Sequence, residues 1–348
     1  MASRKGSPQI LRERDSVSEL DSSVAERVTV VRRERAKPHV GVRLIGDRIF
    51  NVTTFALALS ILVLLAGLAI ALVYDSFPAI RQFGLHFLVS SDWDPVNEQY
   101  GALPFIYGTF VSSLIALVVA VPLSLGVALC LSEMAPDWLG HRLGFLVDLL
   151  AAIPSVVYGL WAVFVMGPWI RDHVEPLLAK YFGFLPFFQG PKVSVGMLSA
   201  GMILAIMIIP YISSVCTDVF RVVPQSQREA ALALGATKWE MVKTAVIPYG
   251  MTGVIGAIIV GLGRALGETI AVAMVIGNSA QISASLFKPA ATLASVIANE
   301  FAEATSDMYV AALIELGLVL LILCIALNVV ARALVLGVQQ RRYRETGG

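Results

Sequence analysis

Ile49-Phe-Asn-Val-Thr-Thr-Phe-Ala-Leu-Ala-Leu-Ser-Ile-Leu-Val-Leu-Leu-Ala-Gly-Leu-Ala-Ile-Ala-Leu-Val-Tyr74 carries no Asp, Glu, Lys or Arg. As a helix it outreaches the roughly 20 residues needed to cross a bilayer core of about 30 Å. Outward from it, residues 100–132 and 193–217 are equally free of charge. Three more apolar runs carry isolated charges: 143–169 with Asp148, 244–277 with Arg264 and Glu268, and 308–336 with Glu315 and Arg332. The chain therefore reads as an all-α integral membrane protein with six transmembrane helices. Its composition agrees, since 57% of residues are hydrophobic and 15% charged, where soluble domains hold about 45–50% and about 25%. The mean hydropathy is +0.77. A formal net charge of +1 gives no basic excess for nucleic acid. Cys130, Cys216 and Cys324 each sit alone in an apolar run, which suits packing and supplies neither a disulfide framework nor a metal-ligand pair.

Sidedness follows from the basic residues. Arg32, Arg33, Arg35, Lys37, Arg43 and Arg48 precede the first span, and only Arg81 lies between it and the second, so the positive-inside rule places the amino end in the cytoplasm. With six spans the outward segments hold Arg81, Arg171, Lys180, Lys192 and Lys288, while every other Lys and Arg outside the spans falls in an inward segment. Both ends are thus expected inside. The first 48 residues show no apolar core ahead of a small-residue cleavage site, so the first span is expected to be retained. The organisation expected is a disordered cytoplasmic tail over 1–45, a six-helix transmembrane domain over 46–340 and a short cytoplasmic tail over 341–348. Pro122, Pro154 and Pro210 predict kinks within spans. Glu300 and Glu303 read as a solvated face of an outer loop, and Asp148 and Glu315 as snorkelling or interhelical groups.

Residues 219–243, between the fourth and fifth spans, are more than a connection. Pro224 and Ser226 supply a helix start, residues 229–234 form helix readily, and Gly235 is a natural stop, so a short helix, a turn and a second helix are predicted. Ala230, Ala231, Leu234 and Trp239 give this hairpin an apolar side that calls for a partner surface. The order Glu229-Ala230-Ala231, three residues, Gly235, nine residues, then Ala245-Val246-Ile247-Pro248 resembles the coupling loop of ABC-importer permeases, with Ala245 and Ile247 standing where that family usually has Ile and Leu. The resemblance implies that Glu229, Ala230, Ala231 and Gly235 dock on a separate ATPase. No G-x-x-x-x-G-K-[ST] phosphate loop occurs in the sequence. The alternative is an amphipathic hairpin lying on the membrane surface.

Gly261, Gly263 and Gly267 do not make a dinucleotide fingerprint, because Leu266 stands where the third glycine belongs; Gly263 and Gly267 instead form a G-x-x-x-G pattern for close helix approach. Between them lies Arg264, followed one turn later by Glu268. An ionised side chain at mid-membrane costs about 2.5–3.5 kcal/mol on the insertion scale, so the two are kept only if paired or used. Arg before Glu is the less favourable order for local pairing on a helix. An Arg fork matches a tetrahedral oxyanion, and a nearby carboxylate could accept a proton from a partly protonated one. A structural ion pair between helices is the alternative.

Trp93-Asp-Pro-Val96, Tyr100-Gly-Ala-Leu-Pro-Phe-Ile-Tyr-Gly-Thr109, Ile153-Pro-Ser-Val-Val-Tyr-Gly-Leu-Trp161, Arg264-Ala-Leu-Gly-Glu-Thr269 and Thr292-Leu-Ala-Ser-Val-Ile-Ala-Asn-Glu300 resemble the PstC family of phosphate-importer permeases, from about residue 45 to the end. The resemblance implies the type I, MetI-like permease architecture in a bacterial inner membrane and an ATP-driven passage of inorganic phosphate past Arg264 and Glu268. It also implies a PstA-like permease partner, two PstB-like ATPases that hold the ATP and Mg, and a PstS-like phosphate-binding protein, with no cofactor in this chain. The alternatives are a permease for sulfate or molybdate, the sister PstA subunit, or a secondary anion transporter working alone. His39, His86, His141 and His173 are scattered, and no nucleophile and base recur at a useful spacing, so a membrane-embedded enzyme is disfavoured.

Overall fold

The computed structural model describes residues 40–346, and among these no β-strand occurs. The amino-terminal tail expected over 1–45 lies almost wholly outside them. Two compact units divide at Leu68 and Ala69, within the first helix, α1 (Val40–Phe83). The packing and the sites described below lie in the second unit.

Five helices are long and apolar enough to cross a bilayer: Gly46–Phe83, Leu103–Met134, Met197–Arg221, Lys238–Gly267 and Asp307–Ala333. The run expected as a single rod over 143–169 is broken. It is a pair, α3 (Asp137–Ala151) and α4 (Ser155–Trp161, running on through π turns to Phe182), bent by 88° at residues 152–154. Pro154 marks the bend, since it has no N–H to continue the ladder and its own ψ of 139° is extended.

Besides two short pieces, His86–Val89 and Pro186–Phe188, the remaining elements are α2 (Leu103–Leu129, extended by a π turn Cys130–Met134), α5 (Met197–Arg221), α6 (Gln225–Ala233) and α7 (Lys238–Met241). A π turn, Val242–Val246, joins α7 to α8 (Ile247–Gly267). Then follow α9 (Ile270–Val275), α10 (Leu293–Glu300) and α11 (Asp307–Thr346). The span expected over 244–277 is thus interrupted at Glu268 and Thr269. Glu268 has ψ 125°, an extended value.

The core is a sandwich of α2 and α8 on α5. Small residues set the spacing: a Cβ on Gly261 would lie 2.6 Å from Ile212, and one on Gly253 would lie 2.5 Å from Val219. Gly263 and Gly267, which the G-x-x-x-G pattern nominated, meet nothing within 4 Å in this chain. The helix buries the glycines one face away from them.

A second cluster joins Ala79, Phe87, Tyr100, Phe105, Leu293 and Leu316 at the end of the molecule opposite the 225–241 hairpin. There Glu300 is not a solvated side chain. Its carboxylate accepts from Trp93 Nε1 at 2.8 Å and from Tyr309 Oη at 2.6 Å. Glu315 likewise does not snorkel: it is 6% exposed and its Oε2 has no hydrogen-bond partner.

Candidate functional site

The break at Pro154 leaves Ala151 O of α3 without its helical donor and Leu150 O with only a long bond, 3.3 Å, from the Ile153 N–H. In a continuous helix Leu150 O would receive the N–H of residue 154, which proline lacks, and Ala151 O that of residue 155. Two tyrosines take them over: Tyr158 Oη donates to Leu150 O at 2.8 Å, and Tyr211 Oη on α5 donates to Ala151 O at 2.7 Å. The face of the Tyr211 ring carries Arg264, whose guanidinium carbon lies 4.3 Å from the ring centroid. Arg264 is on the last turn of α8, and its Nε is buried with no hydrogen-bond partner.

Glu268 lies beyond the end of α8, so it no longer shares a helix face with Arg264. Among the described residues no ion pair within 4 Å joins the two. The self-neutralising pair considered from the sequence is absent, and the half-buried Glu268 stands at the second break. Past that break α9 presses on α4 so closely that a Cβ on Gly159 would lie 2.6 Å from Met274 Sδ and 3.2 Å from Ala271 Cα. A lone cation on an aromatic platform therefore sits where one broken span meets the end of another helix. That arrangement offers unspent guanidinium hydrogen bonds to an anion.

The hairpin is the second feature. Pro224 precedes α6, and Gly235 closes it at φ +86°, a left-handed value that a glycine adopts without strain. Gly235 N–H donates to Leu232 O at 2.9 Å and Ala236 N–H to Ala231 O at 3.2 Å, the paired bonds of a Schellman stop. α7 opens on a capping box: Glu240 N–H donates to Thr237 Oγ1 at 3.3 Å, and Thr237 N–H to Glu240 Oε2 at 2.8 Å. Glu229 and Ala230 are exposed, whereas Ala231 turns inward and packs on the core. Leu234 is 90% exposed and Trp239 59%, with Lys243 Nζ 5.3 Å from the Trp239 ring centroid.

Sequence reading missed the groups that hold these features in place. Tyr158 and Tyr211 looked like ordinary members of apolar runs, although a tyrosine near mid-span needs a partner for its hydroxyl. The Thr237-x-x-Glu240 spacing was a legible capping signal. Arg228 counted only as an inward basic residue, and its largely buried ion pair with Glu133, 95 residues away, had no local signal.

Interrupted helices around a half-buried cation, with a firmly built hairpin that exposes apolar side chains, are the architecture of an all-helical membrane protein. The family described as binding-protein-dependent transport system inner membrane component matches residues 120–342. The phosphate transport system permease protein PstC of Mesorhizobium japonicum is 44% identical over 324 residues, covering 92% of this chain and 99% of that one. PstC of Xylella fastidiosa is 46% identical over 300 residues, with 85% and 92% covered. A crystal structure of a bacterial ABC transporter involved in the import of the acidic polysaccharide alginate aligns with 84% of this chain and 99% of its own, at TM-score 0.51 and 17% identity, a likeness of fold alone. The chain belongs to the binding-protein-dependent transport permeases and, among them, to the PstC family of phosphate transport permeases.

Proposed function

We propose that this chain carries inorganic phosphate inward across a bacterial inner membrane, as one of two permease subunits in an ATP-driven importer. The observation that carries the reading is Arg264, stacked on Tyr211 with its Nε unpartnered beside the break at Pro154. A guanidinium held by a ring face keeps its in-plane N–H groups for a ligand, and a phosphate has the oxygens to take them two at a time. Glu268, close by in sequence and not paired with Arg264, is the carboxylate that would accept the proton of a partly protonated phosphate.

Around this chain we place a PstA-like permease, two PstB-like ATPases bearing the ATP and Mg, and a PstS-like phosphate-binding protein on the outside. The 225–241 hairpin is the ATPase contact, through Glu229, Ala230, the turn at Gly235 and the exposed Leu234 and Trp239. Closure of the ATPase pair moves the hairpins, and the two permeases alternate their opening. The basic residues before the first span and at the carboxyl end, by the positive-inside rule, favour a cytoplasmic location for both ends.

The test is labelled oxyanion uptake in a strain deleted for its own permease of this type and supplied with this chain beside the remaining subunits. Phosphate uptake restored by this chain, uncompeted by excess sulfate or molybdate, is the expected result. Restoration of sulfate or molybdate uptake alone would replace phosphate with another oxyanion, and uptake without any ATPase would make the chain a secondary transporter.

A further inference from the structure

Arg228 lies one residue ahead of Glu229, yet it faces away from any docking surface. Its Nε and Nη2 meet both oxygens of Glu133, at 3.1 and 2.7 Å, and the two side chains are only 13% and 6% exposed. The same guanidinium donates to Phe220 O at 2.8 Å and to Val223 O. One side chain of α6 thus grips the carboxyl end of α5 through carbonyls and the end of α2 through a carboxylate. Glu133 sits in the π turn that extends α2, a widened turn of the kind found at functional points in helices.

Glu133 is one end of a long lever. The Leu103–Met134 helix is 32 residues, about 48 Å at 1.5 Å per residue. Near its other end Thr109 Oγ1 accepts the Leu293 N–H at 2.9 Å, and Gly108 is in close contact with the Ala291 backbone. That end is therefore fixed to the segment leading into α10, at the face opposite the hairpin.

We infer that the Glu133–Arg228 pair is the strut through which movement of the hairpin reaches α2 and, along it, the opposite mouth of the permease. The inference rests on the hairpin being the ATPase contact. Arg228 and Glu133 are positioning residues: they touch neither phosphate nor nucleotide. A charged, bidentate link fixes angle as well as distance, which a single apolar contact does not. The bonds to Phe220 O and Val223 O tie Arg228 to the carboxyl end of α5 and the turn after it, so the carboxylate is the part of the clamp that engages α2.

The experiment measures phosphate uptake and ATP hydrolysis together on the complete reconstituted importer, for the wild type, Glu133→Gln and Glu133→Asp. Glu133→Gln keeps the size, removes the charge and leaves Arg228 its two carbonyls. The expected result is a complex with its full ATPase content in which phosphate moved per ATP falls at least tenfold, while Glu133→Asp stays within about threefold of the wild type, a window equal to roughly 0.65 kcal/mol. A Glu133→Gln ratio within twofold of the wild type would overturn the strut. So would equal losses in Gln and Asp, which would make shape rather than charge the requirement, or a fall in ATPase content matching the fall in uptake, which would make the pair a scaffold for docking. A wild-type complex that moves no phosphate rejects the function proposed above and the strut with it, whereas a working wild type beside an unaffected Glu133→Gln rejects the strut alone.

Discussion

Arg264 rests on a ring that is itself tied down. Tyr211 spends its hydroxyl on Ala151 O and its face on the guanidinium, so the two contributions can be separated by substitution. Tyr211→Phe keeps the ring and frees the carbonyl, costing stability about 1 kcal/mol, the net worth of one hydrogen bond, with phosphate uptake largely kept. Tyr211→Leu removes the platform as well, and uptake should fall at least tenfold at equal membrane abundance. Thermal unfolding of the purified chain and labelled uptake, run side by side, check both. Gly235 makes a similar case at the hairpin. Its φ of +86° and its N–H bond to Leu232 O are both unavailable to proline, whose φ is fixed near −65°. Gly235→Pro should break the turn and uncouple ATP hydrolysis from uptake while the protein still inserts, and normal uptake would remove the hairpin from the coupling role. Ala231→Arg should do the same by forcing a charge into the packed side of α6.

At the scale of elements, α8 shows why spacing in a sequence does not say which face is used. Gly253 is pressed by Val219, a β-branched side chain with little rotamer freedom in a helix, and Gly263 is open. In the isolated chain in detergent, Gly253→Ala should lower the unfolding temperature through overpacking of about 1–3 kcal/mol. Gly263→Ala should raise it or leave it unchanged, because alanine exceeds glycine in helix propensity by up to about 1 kcal/mol. The same ordering for both variants would contradict the packing described. Both glycines lie in apolar helical sequence, and only the approach of α5 distinguishes them. The breaks in the spans behaved differently from one another. Pro154 announced the first, though not its 88° bend or the two tyrosines that donate to carbonyls at the break. The second, after Gly267, carried no proline, and the run through residue 277 stayed apolar enough to read as one helix.

For the molecule as a whole, the apolar helices and the hairpin were legible because both rest on local signals: charge-free length in one case, and Pro224, Gly235 and a helix-forming run in the other. Arg264 was legible because a cation in an apolar run is conspicuous. Its environment was not, since Tyr211, Ala151 and Arg264 are brought together from three elements, and the supposed partner Glu268 is carried away by the break. Glu300 was read as solvated for the same reason: Trp93 lies 207 residues away along the chain. Sidedness is open to a direct check. A reporter active only in the cytoplasm, attached at Gly348, should give signal and a periplasmic-only reporter none; the reverse pattern would invert the orientation proposed.

The central claim is that Arg264 handles the anion and is not one half of a structural pair. Labelled phosphate uptake by Arg264→Gln, Glu268→Gln and the double variant, each at matched membrane abundance, tests it most directly. Arg264→Gln keeps donors and approximate length but not the charge, so insertion should be normal and uptake should collapse. Because no ion pair joins the two residues, removing Glu268 as well should rescue nothing. A double variant as inactive as Arg264→Gln is the predicted result, and a double variant that transports phosphate would contradict the account.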